Sequence, residues 1–222
     1  MSDLLEKISA CIQAGKVDLS SPYPPAMKGM PGAFELAQMV LQEGVSPGDI
    51  LDNALIPAME VVGNRFARRE IFVPQMLLSA KAMTASMVHL RPFFQSGAAK
   101  RKGTFIIGTV SGDLHDIGKN LVAMMAEGSG WEIIDLGVDA GPDKFMDALQ
   151  QHPDAAVGLS ALLTTTMDNM QKIISVIKAS YPSNKILVGG APVTMDFCNK
   201  IGADHYSPDP QGAVNYLNSL TQ

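Results

Sequence analysis

The sequence predicts an α + α/β chain: a four-helix bundle over residues 1–95, a linker at 96–103, and a doubly wound, five-stranded parallel sheet over 104–222. Three observations predict it. Up to residue 95, apolar residues recur at three- and four-residue intervals, the period of helices that each bury one stripe. A small, polar and locally basic stretch, "QSGAAKRKG", comes next. Beyond it, short apolar runs alternate with helical patterns, as right-handed βαβ crossovers require.

The elements follow in order. "LLEKISACI" places Leu4, Leu5, Ile8, Cys11 and Ile12 on one helical face. "VDLSSPYPPAMKGMPGA" is a Pro/Gly-rich insertion over 17–33. "FELAQMVLQEG" sets Phe34, Ala37, Met39 and Leu41 in a second stripe, ended by Gly44. The third helix opens with Ser46 as N-cap and Pro47 at the first helical position, and Pro57 is expected to kink or divide it. "VPQMLLSAKAMTASMVHLRPFF" makes a fourth helix, with Pro74 near its start. The runs "TFIIGTV", "WEIIDLG", "DAAVGLS", "KILVGG" and "ADHYS" suit strands buried on both faces. In such a sheet, ligands bind beyond the carboxyl ends of the strands.

Composition narrows the function. The chain has 222 residues, 46% hydrophobic and 18% charged, an ordinary globular balance. A net charge of −5 disfavours a nucleic-acid binder, which would show a basic face. Cys11 and Cys198 form no CxxC, so neither a disulfide framework nor a zinc ribbon is expected. No apolar run is long enough to span a membrane and the N-terminus does not read as a leader, so a cytoplasmic location is expected.

The first strand ends in "GDLHDIGKN", residues 112–120. It is not a Walker A loop, because five residues rather than four separate Gly112 from Gly118 and Asn120 replaces the hydroxyl residue. No GxGxxG is present, and Asp113 with His115 is too small a set for a closed zinc site. One imidazole oriented by one carboxylate does suit a metal already held by a macrocycle. "DLHDIG" resembles the DxHxxG motif of cobalamin-binding domains. Two later loops match that family in order: "LSALLT", with Ser160, Leu162 and Thr164, is similar to its SxL loop, and "VGGA", with Gly189 and Gly190, to its GG loop. "GNRFARREIFVPQMLLSAKAM" resembles the helical cap of methyl-transferring members, including cobalamin-dependent methionine synthase. The two-part layout looks most like the corrinoid proteins of multi-component methyltransferase systems. The resemblance covers roughly residues 34–220, and the 17–33 insertion departs from it.

The resemblance implies a flavodoxin- or Rossmann-like cobalamin domain under a helical cap. His115 would replace the cofactor's dimethylbenzimidazole as the lower axial cobalt ligand, and Asp113 would hold its other ring nitrogen. Gly112, Leu114, Ile117 and Gly118 would lie along the corrin and its displaced tail. Asp116 either caps the next helix or touches the cofactor. Ser160, Leu162 and Thr164 would meet the nucleotide tail, although Thr164 is equally placed to cap the following helix. Gly189 and Gly190 either admit a flat group or simply end a strand. Phe66, Val73 and Met76 either shield the upper face or belong to the bundle core. "YSPDP", Tyr206 to Pro210, is a further candidate for the tail.

The implied function is a methyl carrier that cycles between Co(I) and methylcobalamin, methyl-Co(III). Its expected partners are a substrate:corrinoid methyltransferase, a methylcorrinoid:acceptor methyltransferase using tetrahydrofolate or a thiol, and a reductive activator. Neither nucleic acid nor membrane is expected. Two rivals share DxHxxG: the small subunit of an adenosylcobalamin-dependent mutase, and a cobalamin-dependent sensor.

Overall fold

The helical half begins with α1, Asp3–Ala14, which buries Leu5, Ile8, Cys11 and Ile12. The computed structural model describes residues 3–95 and 101–221. These divide into two units, the described parts of Met1–Arg101 with Gly128–Gly130, and of Lys102–Glu127 with Trp131–Gln222. Most of the expected linker, residues 96–100, lies outside the described residues.

In the first unit, α1 packs against α2 (Ala33–Gln42), α4 (Ile56–Ala67) and α5 (Val73–Gln95). The stripe of α2 is Ala33, Leu36, Ala37 and Val40, and Met39 is 44% exposed. The expected stripe was therefore out of phase at Met39, because Leu36 and Val40 offer an equally regular i, i+4 pair. Ser46 caps α3 (Pro47–Ile50) as expected, its side chain accepting the Asp49 N–H. α3 runs without a break through a π turn, Leu51–Leu55, into α4. The Ile56 N–H reaches back to the Leu51 carbonyl, one residue further than in an α-helix. The wider turn sits where the ring of Pro57 would press on the carbonyl four residues earlier, so the proline divides the helix by widening it.

The 17–33 insertion is pinned at both ends. Lys16 is fully buried and donates from Nζ to the Ser21 carbonyl at 2.9 Å. The Glu35 carboxylate accepts the Leu19 N–H at 2.9 Å and the Gly32 N–H at 2.8 Å. A Cβ on Gly32 would collide with the backbone of Val17 and Asp18.

The second unit alternates β1 (Thr104–Thr109), α6 (Ile117–Gly128), β2 (Glu132–Asp135), α7 (Pro142–Gln151), β3 (Ala156–Ser160), α8 (Met167–Ser180), β4 (Ile186–Gly189), α9 (Met195–Ile201), β5 (His205–Ser207) and α10 (Pro210–Ser219). All strands are parallel, in the order β2-β1-β3-β4-β5. β2 is an edge strand with half-buried or exposed residues, not the two-sided strand its apolar run suggested. Right-handed crossovers put helices on one face when the chain moves one way along the sheet and on the opposite face when it moves back. Ile106, Val157, Leu159, Ile186 and Val188 accordingly form a core with Phe145, Ile173, Ile177 and Cys198 from α7, α8 and α9. The opposite face receives α6 and α10, with an open slot between them. Among the described residues no helix is long and apolar enough to cross a membrane.

Asp204, between α9 and β5, joins the end of this sheet to its helices. It accepts from Lys178 Nζ at 2.8 Å and from the Ile186 N–H at 2.9 Å. Burial alone would raise its carboxyl, but these donors and Lys185 hold it below the usual carboxylate range. Its contribution to stability is therefore complete above the unfolded value of about 3.9 and is lost as the pH falls below it. Melting temperature measured from pH 6 to pH 2 is expected to fall less steeply for Asp204→Asn than for the parent. Gly32→Ala is expected to cost about 1–3 kcal/mol in denaturant unfolding, because backbone must move to admit the methyl.

Candidate functional site

Gly112 has φ +79, a conformation that suits glycine, and it turns the chain away from the end of β1. Its N–H donates to Asp139 Oδ1 at 2.7 Å, and the Asp139 N–H donates back to the Asp113 carbonyl at 3.1 Å. The loop is held from the other side by Asn169, whose amide donates to the Ser111 carbonyl at 2.8 Å.

This scaffold fixes Asp113, whose side chain is fully buried. Oδ1 accepts from His115 Nδ1 at 2.8 Å and from the His115 N–H at 3.1 Å. Oδ2 accepts the Leu162 N–H at 2.8 Å, the Leu163 N–H at 3.2 Å and the Thr166 hydroxyl at 2.8 Å. Burial works to raise the Asp113 carboxyl. The donors from Leu162, His115 and Thr166 outweigh it and hold the group well below the usual carboxylate range, so it stays ionised. An ionised carboxylate only accepts, so Nδ1 of His115 carries a proton, and in the neutral ring the lone pair is on Nε2. The Thr109 hydroxyl donates to the His115 carbonyl at 3.0 Å, which anchors the residue's backbone as well. The imidazole is half exposed, ready for a ligand at Nε2.

His115 stands beside a cavity of about 620 Å³, formed by the slot between α6 and α10. Its lining includes Leu114, Asp116, Ile117 and Gly118, then Ser160 and Leu162 at the end of β3, and Gly189 and Gly190 at the end of β4. Leu114 is 71% exposed and Ile117 63%, and Leu162 and Leu163 are also exposed, so an apolar collar surrounds the histidine. Asp116 directly precedes α6, and its carboxylate accepts from the Asn120 amide at 2.9 Å. A Cβ on Gly118 would meet nothing within 4 Å, so protein packing does not require glycine there. Gly190 is required: it has φ +133, and a Cβ would fall on the Ala161 carbonyl.

Several other expected residues do not line this cavity. Thr164 is exposed and does not line the cavity, and the N-cap position of α8 belongs to Thr166, two residues on. The Thr166 hydroxyl goes to Asp113 and to the Leu163 carbonyl instead of capping its helix. "TTT" in the sequence does not say which hydroxyl turns inward. Phe66 is half-buried near the end of α4, and Val73 is an exposed first residue of α5; both belong to the helical unit and neither lines the cavity. Met76 is fully buried. Ser207, within "YSPDP", lines the cavity with a buried hydroxyl that has no partner. Among the described residues no group of three or more His, Cys, Asp and Glu could hold a bare metal ion.

Removing the carboxylate would strand its buried donors, at about 1–3 kcal/mol for each left unsatisfied. Asp113→Ala is therefore expected to unfold at markedly lower denaturant than His115→Ala, whose ring is half exposed. Equal midpoints for the two variants would show that Asp113 does not hold the loops together.

Residues 103–214 match the B12 binding domain family, and residues 31–91 match a second family with the same description. A trimethylamine corrinoid protein of Methanosarcina mazei is 37% identical over 186 residues, 82% of this chain and 85% of that protein. A cobalamin-binding protein from Desulfitobacterium hafniense is 30% identical with a TM-score of 0.72, covering 97% of this chain and 98% of its own. The methanol:cobalamin methyltransferase complex of Methanosarcina barkeri gives a TM-score of 0.81 at 26% identity, over 100% of this chain and 80% of the matched one. The chain belongs to the family of B12-binding corrinoid proteins.

Proposed function

We propose that this chain is a corrinoid methyl carrier that holds cobalamin with its own base displaced and His115 as the lower axial ligand. The observation that carries the reading is the buried Asp113 carboxylate, which fixes His115 Nδ1 beside an apolar cavity. Kinship with a trimethylamine corrinoid protein and likeness to a methanol:cobalamin methyltransferase complex support methyl transfer as the role.

The residues present fit the cofactor. A single imidazole suffices where a macrocycle supplies the other ligands. The exposed Leu114, Ile117 and Leu162 offer a flat ring system the apolar contact they lack. Gly118 leaves open space along the cavity wall, and the orphaned Ser207 hydroxyl is a hydrogen-bonding group waiting for a polar tail.

Bound cobalamin supplies a cobalt atom that accepts a methyl group and gives it up again. The chain's residues do the rest. Asp113 keeps the proton on Nδ1 and fixes the ring's orientation, so Nε2 is the atom left to meet the metal. Thr166 and the Leu162 and Leu163 amides hold that carboxylate in place. Ser160, Gly189, Gly190 and Ser207 receive the nucleotide tail. Methyl transfer to and from the carrier falls to partner methyltransferases, one specific for the donor and one for the acceptor, with a reductive activator restoring oxidised cofactor.

Reconstituted with cob(II)alamin, the protein is expected to show axial nitrogen splitting in its electron spin resonance spectrum. That splitting should change when the protein carries nitrogen-15 and disappear in His115→Ala. Splitting that follows only the cofactor's isotope would overturn the assignment of His115.

A further inference from the structure

The cavity has two layers, set by strand register. Ser160, Gly189 and Ser207 are paired side by side at the carboxyl ends of β3, β4 and β5. Two residues earlier, Ile107, Gly158 and Leu187 form a second paired row, about 6.6 Å deeper along the strands. Both rows line the cavity. The upper row carries the two serine hydroxyls. Ser207 is 9% exposed, and its Oγ is buried without a partner. The lower row offers only apolar side chains or none, with Phe105 below it and Val122 and Ala213 on the flanking helices. The strand backbone there is already engaged in the sheet. The glycine keeps the floor open: a Cβ on Gly158 would press against Phe105 and Ile107.

A ligand that enters this slot can satisfy hydrogen bonds at the rim and none at the floor. A nucleotide tail has matching halves, a ribose and phosphate followed by a flat aromatic base. We propose that the floor of Phe105, Ile107, Gly158 and Leu187 makes the chain selective for that base, favouring a benzimidazole over a purine, while Ser207 receives the sugar. The proposal rests on the cofactor reading given above. The six-membered ring of dimethylbenzimidazole has no polar atom. The corresponding ring of adenine carries nitrogens and an amino group, which would be buried against this floor without partners. Selectivity arises from stranding the wrong base's polar edge, a penalty that in an apolar pocket amounts to about a hundredfold at most.

The test is binding alone. Apoprotein is titrated with cobalamin, with the corrinoid carrying adenine in place of dimethylbenzimidazole, and with cobinamide, which has no nucleotide, each followed by visible absorbance and equilibrium dialysis. Cobalamin is expected to bind at least about tenfold more tightly than the adenine form, and cobinamide more weakly than cobalamin. Leu187→Gln places an amide on the floor and is expected to shrink the preference. Equal affinity for the two bases, or a preference for adenine, overturns the proposal. So does cobinamide binding as tightly as cobalamin, or an unchanged preference in a Leu187→Gln protein that melts cooperatively. Axial nitrogen splitting is read separately, so intact splitting with no base preference sinks this inference and leaves the role of His115 standing.

Discussion

A carboxylate with no water around it must find its solvation in the protein, and Asp113 finds it in two loops at once. Its own loop supplies the His115 ring and amide, and the loop after β3 supplies the Leu162 and Leu163 amides and the Thr166 hydroxyl. Breaking any of these leaves a buried charge short of partners, so the loops are fixed relative to each other by electrostatic need rather than by apolar packing. The same bonds decide the tautomer of His115. Fold and chemistry thus meet in one side chain.

The cavity has a different origin. The winding of the chain leaves it. Three helices of this unit close one face of its five-stranded sheet, and among the described residues of the unit the other face receives only α6 and α10. The uncovered strip lies over β3 and β4, and it opens at the carboxyl ends where the Asp113 loop stands. Small residues keep it open, Gly158 and Gly189 from the sheet and Gly118 and Ala213 from the helices.

How far this was legible in the sequence depended on distance along the chain. Asp113 and His115 are two residues apart, so their pairing could be read directly. Thr166 lies 53 residues from Asp113, and its part depends on how the β3–α8 loop closes; the sequence pointed only to Thr164, as a contact for the nucleotide tail or a cap for the next helix. The alternation of strands and helices was legible because period is a local property. The edge position of β2 was not, because an apolar run reads alike at the centre and the edge of a sheet. Met39 shows the limit of period itself, since two phases of α2 were almost equally apolar. The Pro/Gly-rich segment over 17–33 carried no periodic signal, yet Lys16 and Glu35 tie it down with polar bonds that only the folded chain reveals.

The π turn at Leu51–Leu55 bears on how this chain can vary in length. Deleting a residue from a regular helix turns everything beyond it by about 100°, which would carry the Met59 and Val62 stripe of α4 away from its core. A π turn already holds one residue more than the surrounding helix needs. Losing a residue there would return the segment to ordinary α-helix with the faces on either side still aligned. Descendants of this gene could lose a codon there without rotating the bundle, provided Pro57 changes with it, since its ring needs the wider turn.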